Sequence, residues 1–390
     1  MQKDRKGLTA TPALDQMPPK KKGKKGKGGK GKKNDKQKEE EDNALFDLFI
    51  NNFKKASVKI NGSPPSVAIL KVIKGPSSDE KGAEDLPGWY DRKKNLQVVD
   101  IRLGPALCRS ICRSLLDSKY KLLQRISLVS CEIFDAGVTS LCEVLTGGST
   151  VGVKPTILEL VACGITSKGC EHLSLAMGSG GNTCLQKLSL DHNKAMGNRG
   201  YQSLCIGIRG NSSLKTLSVK CCGLEGVGMG NATALLLSSS STILENLHLS
   251  ENKLTPRGLS TVARSLKKNT ALKILGLAEN NIDADFEAEG YDIFMRSMNH
   301  LRLALQLNAT LQSLDLSFNT ITEDGALQLL PALSPESAER NNTLKWFKLT
   351  TLLSQTTFKQ LSRMGKTGGS KKGKGKGKGK GKKKGKKKKK

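Results

Sequence analysis

The chain has 390 residues, with 65 Lys and Arg against 35 Asp and Glu, a formal charge of +30. No apolar run approaches the roughly 18 residues of a membrane span, and the charged start is not followed by the apolar stretch of a secretion signal, so a soluble intracellular protein is expected. The charge is unevenly placed: residues 1–42 hold 14 basic against 7 acidic residues and residues 361–390 hold 16 against none, which leaves only +7 for the long middle.

In chain order, residues 1–42 form a basic tail built around KKKGKKGKGGKGKK from Lys20. It has almost nothing apolar to bury against the entropy of ordering, and like charges repel along it, so disorder is expected. Residues 43–94 read as a helix and capping segment. In EEEDNALFDLFINNFKKASV, Phe46, Phe49, Ile50 and Phe53 fall at helical spacing, with Asp42 or Asn43 as the N-cap and Lys54 and Lys55 near the C-terminal end. Two readings stand: a lid over the apolar end of the next domain, or a docking helix whose phenylalanines enter a partner's groove. SVAILKVIKGPSS then gives a short apolar stretch ended by Gly75-Pro76. A polar loop expected to be mobile leads on to Trp89 and Tyr90, read as packing on the first repeat or as an aromatic contact.

Residues 95–360 carry a repeat. The pattern L-x-x-L-x-L-x-x-N/C-x-L returns about every 28 to 33 residues, with one longer interval. Its copies read LLQRISLVSCEI from Leu122, LQKLSLDHNKAM from Leu185, LKTLSVKCCGL from Leu214, LENLHLSENKL from Leu244, LKILGLAENNI from Leu272 and LQSLDLSFNTI from Leu311, with a weaker PTILELVACGI from Pro155. The ends fray at LQVVDIRLGPA and LKWFKLTTLL, as terminal repeats do when they cap a stack. Each unit opens with a strand whose alternate leucines point inward. The ninth position is Asn193, Asn252, Asn280 or Asn319 in some units and Cys131, Cys163 or Cys222 in others, a structural ladder able to satisfy backbone groups where the chain leaves the strand. Helical spacing follows, with Thr255 and Thr322 as N-cap candidates.

A strand and a helix per repeat at this length resembles the ribonuclease-inhibitor-like class of leucine-rich repeat proteins. That resemblance implies an α/β solenoid, a curved horseshoe of strand-helix units, here with disordered Lys/Gly tails. The C-terminal tail, residues 361–390, ends in KKGKGKGKGKGKKKGKKKKK.

The inner face is expected to be the outward strand positions and the ridge that follows them. The partner-binding candidates are Arg102, Arg125, Glu159, Asp191, Lys220, His248, Glu251, Glu279, Asp315, Phe318 and Trp346. Arg and aromatic residues among them are types that dominate binding energy when buried. In the longest repeat, DFEAEGYDIFMRSMNHLRLAL is read as a longer helix with Phe294, Met298, Leu301 and Leu305 facing in, and Tyr291 as a contact.

Chemistry is sparse. His172, His192, His248 and His300 are scattered, without a second ligand at metal spacing, and Cys108/Cys112 and Cys221/Cys222 lack the second half of a zinc motif; no metal, cofactor or catalytic residue is expected. Gly365-Lys366-Thr367 lacks the preceding glycine, strand and following helix of a P-loop. The ten Cys are expected as reduced thiols. The Asn-x-Ser/Thr sequences at Asn211, Asn308 and Asn341 stand three residues before a repeat, as Asn182 and Asn269 do, and read as turn residues; Asn61 and Asn231 complete the set.

Three functions remain open. In the first, a non-enzymatic scaffold, expected as a monomer, binds a protein on the solenoid while its tails hold an acidic polymer such as the tails of tubulin. MPPKKKGKKGKGGKGKK from Met17 resembles the basic starts of some ciliary and flagellar proteins, which places this reading at the cytoskeleton or cilium. The second is a nuclear, nucleolar or ribosome-associated protein whose tails bind RNA phosphates. The third follows from the repeat class, some of whose members activate small GTPases of the Ran type; those activators look acidic at the C-terminus, whereas this chain ends in polylysine.

Overall fold

A computed structural model of the protein describes residues 31–75, 91–178, 184–240, 242–284, 288–334, 336–349 and 353–361. Most of both Lys/Gly tails, Trp89, Tyr90, Asn182 and the 365–367 segment lie outside these residues. The chain divides into two compact units, residues 1–44 and 45–390. In the first, residues 31–44 are helical.

In the second unit the repeat becomes a sheet. Its strands are β1 (Asn95–Val99), β2 (Arg125–Val129), β3 (Ile157–Val161), β4 (Lys187–Ser189), β5 (Thr216–Ser218), β6 (Asn246–His248), β7 (Ile274–Gly276), β8 (Ser313–Asp315) and β9 (Trp346–Lys348). They form one nine-stranded sheet in sequence order, every pair parallel. The register aligns one apolar residue per repeat, Leu96, Ile126, Leu158, Leu188, Leu217, Leu247, Leu275, Leu314 and Phe347, into an unbroken ladder. All are buried. Each such side chain contributes about 1.5–3 kcal/mol when removed from water, so the repeat period itself places the core.

The helices are α1 (Gly31–Asn61), α2 (Val67–Lys74), α3 (Gly104–Asp117), α4 (Phe134–Val151), α5 (Ser167–Met177), α6 (Gly197–Ile208), α7 (Gly226–Leu237), α8 (Thr255–Leu266), α9 (Ala288–Leu307), α10 (Glu323–Leu327), α11 (Leu330–Leu333) and α12 (Gln355–Leu361). Neighbouring helices pack side by side as the strands do. Between α7 and α8 the approach is close enough to need glycine: a Cβ on Gly230 would stand 2.8 Å from the Gly258 carbonyl oxygen. α9 has 20 residues where α6, α7 and α8 have 12, and Phe294, Met298, Leu301 and Leu305 on it are buried. The long repeat is therefore a longer helix. Tyr291 is half-buried and donates to Asp324 Oδ2 at 2.8 Å.

Phe46, Phe49, Ile50 and Phe53 of α1 are buried in the repeat core, with the Phe49 ring 5.1 Å from Tyr120. The lid reading holds for these residues. Two local expectations do not. The helix does not begin at Asp42 or Asn43, because Lys, Gln and Glu are good helix formers and Lys36 and Glu40 lie one turn apart, so residues 31–42, counted as basic tail, are helical. Thr255 is not an N-cap: it is the first residue of α8, at φ 61°, with Pro256 in the first turn and no capping side chain. Thr322 does cap α10, accepting from the Gly325 N–H. The apolar stretch after Pro65 is α2, capped by Ser66, whose side chain accepts from Ile69 N–H.

The ninth-position ladder is a buried spine. Asn252 Oδ1 accepts from the backbone N–H of Cys222 and Leu224 in the preceding repeat, and its Nδ2 donates to Val219 O and Leu249 O, at 2.9–3.1 Å. Asn193 and Asn319 make the same set, and Asn280 a reduced one. Cys131, Cys163 and Cys222 donate Sγ–H to Val98 O, Leu128 O and Leu190 O at 3.2–3.3 Å. Desolvation pushes the Cys131 thiol up to about 11 and the Cys163 thiol up to about 12, so these are packing groups. Asn211, Asn269, Asn308 and Asn341 are buried and tie each helix end to the next repeat, for example Asn308 Nδ2 to Leu266 O and Leu311 N–H to Asn308 Oδ1. The turn reading of these asparagines is the one the geometry supports. The ten cysteines are free thiols, seven of them buried. Among the described residues no helix is long and apolar enough to cross a membrane.

Candidate functional site

Two adjoining surfaces carry the candidate residues: the outward face of the strands, and the bend after each strand. In a parallel stack, equivalent residues of adjacent strands lie about 4.8 Å apart, so polar side chains on the face meet their neighbours before they meet solvent. Ser127, Glu159, Ser189 and Ser218 point away from the apolar ladder yet are buried. That corrects the expectation of an open face there.

Several charges on this face are paired from repeat to repeat. Arg125 Nη2 lies 2.6 Å from Glu159 Oε2, with Nε donating to the same oxygen at 3.1 Å, and Lys187 Nζ approaches Glu159 Oε1 at 3.4 Å. The Arg125 and Glu159 side chains are only 21% and 11% exposed. Arg125 and Glu159 were expected as separate anchors; they satisfy each other. Asp191 Oδ1 accepts from Ser218 Oγ and from Lys220 N–H, at 2.7 and 2.8 Å. Asp315 accepts from Ser317 and pairs with Lys348 at 3.2 Å. Burial raises the Asp315 carboxyl, but the hydrogen bonds from Ser317 and the Lys348 charge outweigh it and leave the group below its ordinary value. Arg102 pairs with Glu132 at the exposed edge of the first repeats. His248 is half-buried beside Gly276, and Lys220 and Trp346 are half-buried as well.

The bend is different. Its eighth-position residue has positive φ in consecutive repeats: Ser130 (53°), Ala162 (51°), His192 (62°), Cys221 (52°), Glu251 (60°), Glu279 (54°) and Phe318 (57°). A left-handed conformation costs a non-glycine residue roughly 1–2 kcal/mol. Here it is imposed by the stack. His192 N–H donates to Lys220 O, Cys221 N–H to Ser250 O, Glu251 N–H to Ala278 O and Glu279 N–H to Ser317 O, at 2.8–3.2 Å, while the ninth-position residue beside it is locked in the spine. The side chains are thereby thrown outward on a regular ridge. Glu251 and Glu279 are exposed, and Phe318 is 80% exposed.

The ridge also brings together residues the sequence reading kept apart. The ligand atoms of His192, Cys221 and Glu251, one from each of three successive repeats, lie within 4.8 Å of one another. Desolvation raises the Cys221 thiol from its ordinary value, Lys194 opposes that, and Glu251, Glu279 and Asp191 reinforce it. His192 and Cys221 were passed over as candidates because ligand spacing was sought within one segment. The signal was present in the alignment of the repeats, where both occupy the position of Glu251.

A family model described as Leucine Rich repeat matches residues 181–205, 210–230, 240–263 and 307–330. The chain is 29% identical over 242 residues to a ribonuclease inhibitor of Sus scrofa, covering 62% of this chain and 48% of that protein. It is 28% identical over 246 residues to the ribonuclease inhibitor of Mus musculus, covering 63% and 49%. NACHT, LRR and PYD domains-containing protein 5 of Bos taurus is 28% identical over 245 residues, 62% of this chain and 20% of that one. The chain thus spans about half the length of the ribonuclease inhibitors it matches. Among solved structures, a complex of Rad7 and Elc1 in yeast aligns over 85% of this chain and 60% of the matched chain, with 15% identity and a TM-score of 0.39. A tropomodulin C-terminal domain of Caenorhabditis elegans aligns over 42% and 88%, with 14% identity and a TM-score of 0.33. With its parallel strands in sequence order, an asparagine spine behind a shared bend, and these sequence matches, the chain is a leucine-rich repeat protein of the ribonuclease-inhibitor-like class.

Proposed function

We propose that this protein is a non-catalytic scaffold whose repeat domain docks a protein partner along the ridge, with Glu251, Glu279 and Phe318 as the leading contacts. The observation that carries it is Phe318: an aromatic ring 80% exposed on a backbone conformation unfavourable for its type. Folding alone gains nothing from that combination, whereas a large rigid side chain presented this way suits the buried anchor of an interface. The relatives named ribonuclease inhibitors, whose target is a protein, support the same class of role.

The Lys/Gly tails add a second, sequence-blind attachment to an acidic polymer. Of the two candidates, the acidic tails of tubulin and RNA, the first fits a cytoskeletal or ciliary setting in the cytoplasm, the second a nuclear or nucleolar one. The mixed charge and pairing on the strand face speak against a nucleic-acid groove there, since such a groove needs unpaired cations interleaved with stacking aromatics. GTPase activation would need an available arginine; Arg125 is held by Glu159, while Arg102, though paired with Glu132, and Arg257 are exposed and are the residues whose substitution tests that role.

Affinity capture from nuclease-treated lysate tests the reading, comparing the full chain with one lacking residues 1–30 and 362–390. Retention of a defined set of proteins by the shortened chain supports a docking repeat domain. Retention by the full chain alone, released by moderate salt, would leave the tails as the whole of the binding activity.

A further inference from the structure

On the strand face, Arg125, Glu159, Lys187, Asp191, Asp315 and Lys348 are engaged by neighbours. The ridge contains an exception: among the described residues, no hydrogen bond or ion pair engages the side chains of His192, Cys221 or Glu251, although their ligand atoms converge within 4.8 Å. An imidazole, a thiol and a carboxylate that meet without bonding to one another form a donor set of the type zinc takes. The geometry points to a site for a divalent transition-metal ion, zinc foremost, held by one side chain from each of three consecutive repeats; this inference goes beyond the docking reading and does not depend on it.

The backbone is already set for such a site. All three residues share the left-handed bend, and the bonds from His192 N–H to Lys220 O, from Cys221 N–H to Ser250 O and from Glu251 N–H to Ala278 O fix the spacing of their Cα atoms along the stack. Tetrahedral zinc, with bonds of about 2.0–2.3 Å, needs donor atoms roughly 3.3–3.8 Å apart. The ligand atoms must draw closer than the observed spread to reach that geometry; His192 and Glu251 are exposed, and Cys221 is half-buried between them.

Chemistry selects the ion. A thiolate and an imidazole favour zinc over magnesium or calcium, which prefer all-oxygen shells. On binding, the Cys221 thiol gives its proton to solvent and the sulfur forms the metal bond. Thiolate and carboxylate then balance the two charges of the ion with the imidazole neutral. Asp191 and Glu279 add negative charge nearby, opposed by the ammonium of Lys194. Three protein donors leave a coordination position facing outward, for water or an added ligand.

The test uses the full-length reduced chain with cobalt(II) alone, then zinc(II) alone as competitor. The expected result is saturation at one equivalent with a thiolate-to-cobalt charge-transfer band and the visible bands of tetrahedral cobalt, both erased by zinc. Cys221→Ser should remove the charge-transfer band. His192→Asn, which keeps a residue tolerant of the left-handed bend, and Glu251→Gln should each weaken binding by more than the roughly 10–100-fold that loss of an outer partner costs. Unchanged circular dichroism in the last two variants separates loss of the site from loss of the fold. No saturable cobalt spectrum in the wild type, or an undiminished band in Cys221→Ser, overturns the site.

Discussion

The strand face and the ridge are built from the same repeats, a few residues apart, and they treat polar side chains in opposite ways. On the face, Arg125, Glu159 and Lys187 neutralise one another across three strands, and Asp191 is consumed by Ser218 and the Lys220 backbone. On the ridge, the left-handed bend directs His192, Cys221, Glu251, Glu279 and Phe318 outward. The stack therefore uses several of its face residues to hold repeats together, and the proposed docking surface is the bend. The face should respond to mutation through stability and the ridge through binding.

The largest expected effect strikes what the two surfaces share. Asn252→Ala leaves Cys222 N–H, Leu224 N–H and Val219 O without their buried partner, while Leu249 O keeps the bond from Asn280 Nδ2. At about 1–3 kcal/mol for each unsatisfied buried group, partly relieved by relaxation, a loss of about 3 kcal/mol or more is expected in denaturant unfolding. Hydrogen exchange should rise first in the repeats flanking Asn252, because each repeat contacts only its neighbours. Uniform exchange across all repeats would contradict the spine as a local clamp.

Next comes the paired face. Arg125→Ala strands a nearly buried Glu159 carboxylate, with Lys187 as its remaining partner, and should cost about 1–2 kcal/mol, less than the 3–5 of a fully buried pair. Replacing both charges together, with Arg125→Met and Glu159→Leu, should recover most of that. If the double change costs as much as the single one, the pair contributes by more than mutual neutralisation.

Phe318→Gly should move stability the other way, by less than about 1 kcal/mol, since relief of roughly 1–2 kcal/mol of left-handed strain slightly exceeds the backbone entropy glycine adds to the unfolded chain. A lower thermal midpoint in this variant would mean that Phe318 packs within the fold and is no exposed anchor. The smallest effect concerns Asp315. Its carboxyl is depressed in the folded state, so it contributes stability that is present above the unfolded carboxylate value near 4 and lost as pH falls through the folded value. Asp315→Asn should therefore lower stability by a few tenths of a kcal/mol at neutral pH and converge with the wild type in acid unfolding as pH falls through the folded value.

Much of this was legible in the sequence, for a physical reason: one side chain per repeat is repeated at each step of the stack, so Leu188, Leu217 and Leu247 announce both the core and the register. Asn252 and Cys222 were legible as spine for the same reason, and Phe46, Phe49, Ile50 and Phe53 through helical spacing. The pairing of Arg125 with Glu159 was not, because it depends on the lateral distance between strands and on which rotamers meet there. Nor was the convergence of His192, Cys221 and Glu251, which are one repeat apart and acquire a common location only when the repeats are stacked. Thr255 misled as a cap because its hydroxyl type is right and its backbone is not.

The most direct measurement of the contrast between face and ridge is quantitative affinity capture with three full-length chains: wild type, Phe318→Gly, and Arg125→Met with Glu159→Leu. The account predicts that proteins retained by the wild type bind Phe318→Gly at least about 30-fold more weakly, as loss of a ~2 kcal/mol anchor requires, and bind the face double variant within about threefold of wild type. Retention unchanged by Phe318→Gly and abolished in the folded face variant would place the partner on the strands and contradict it.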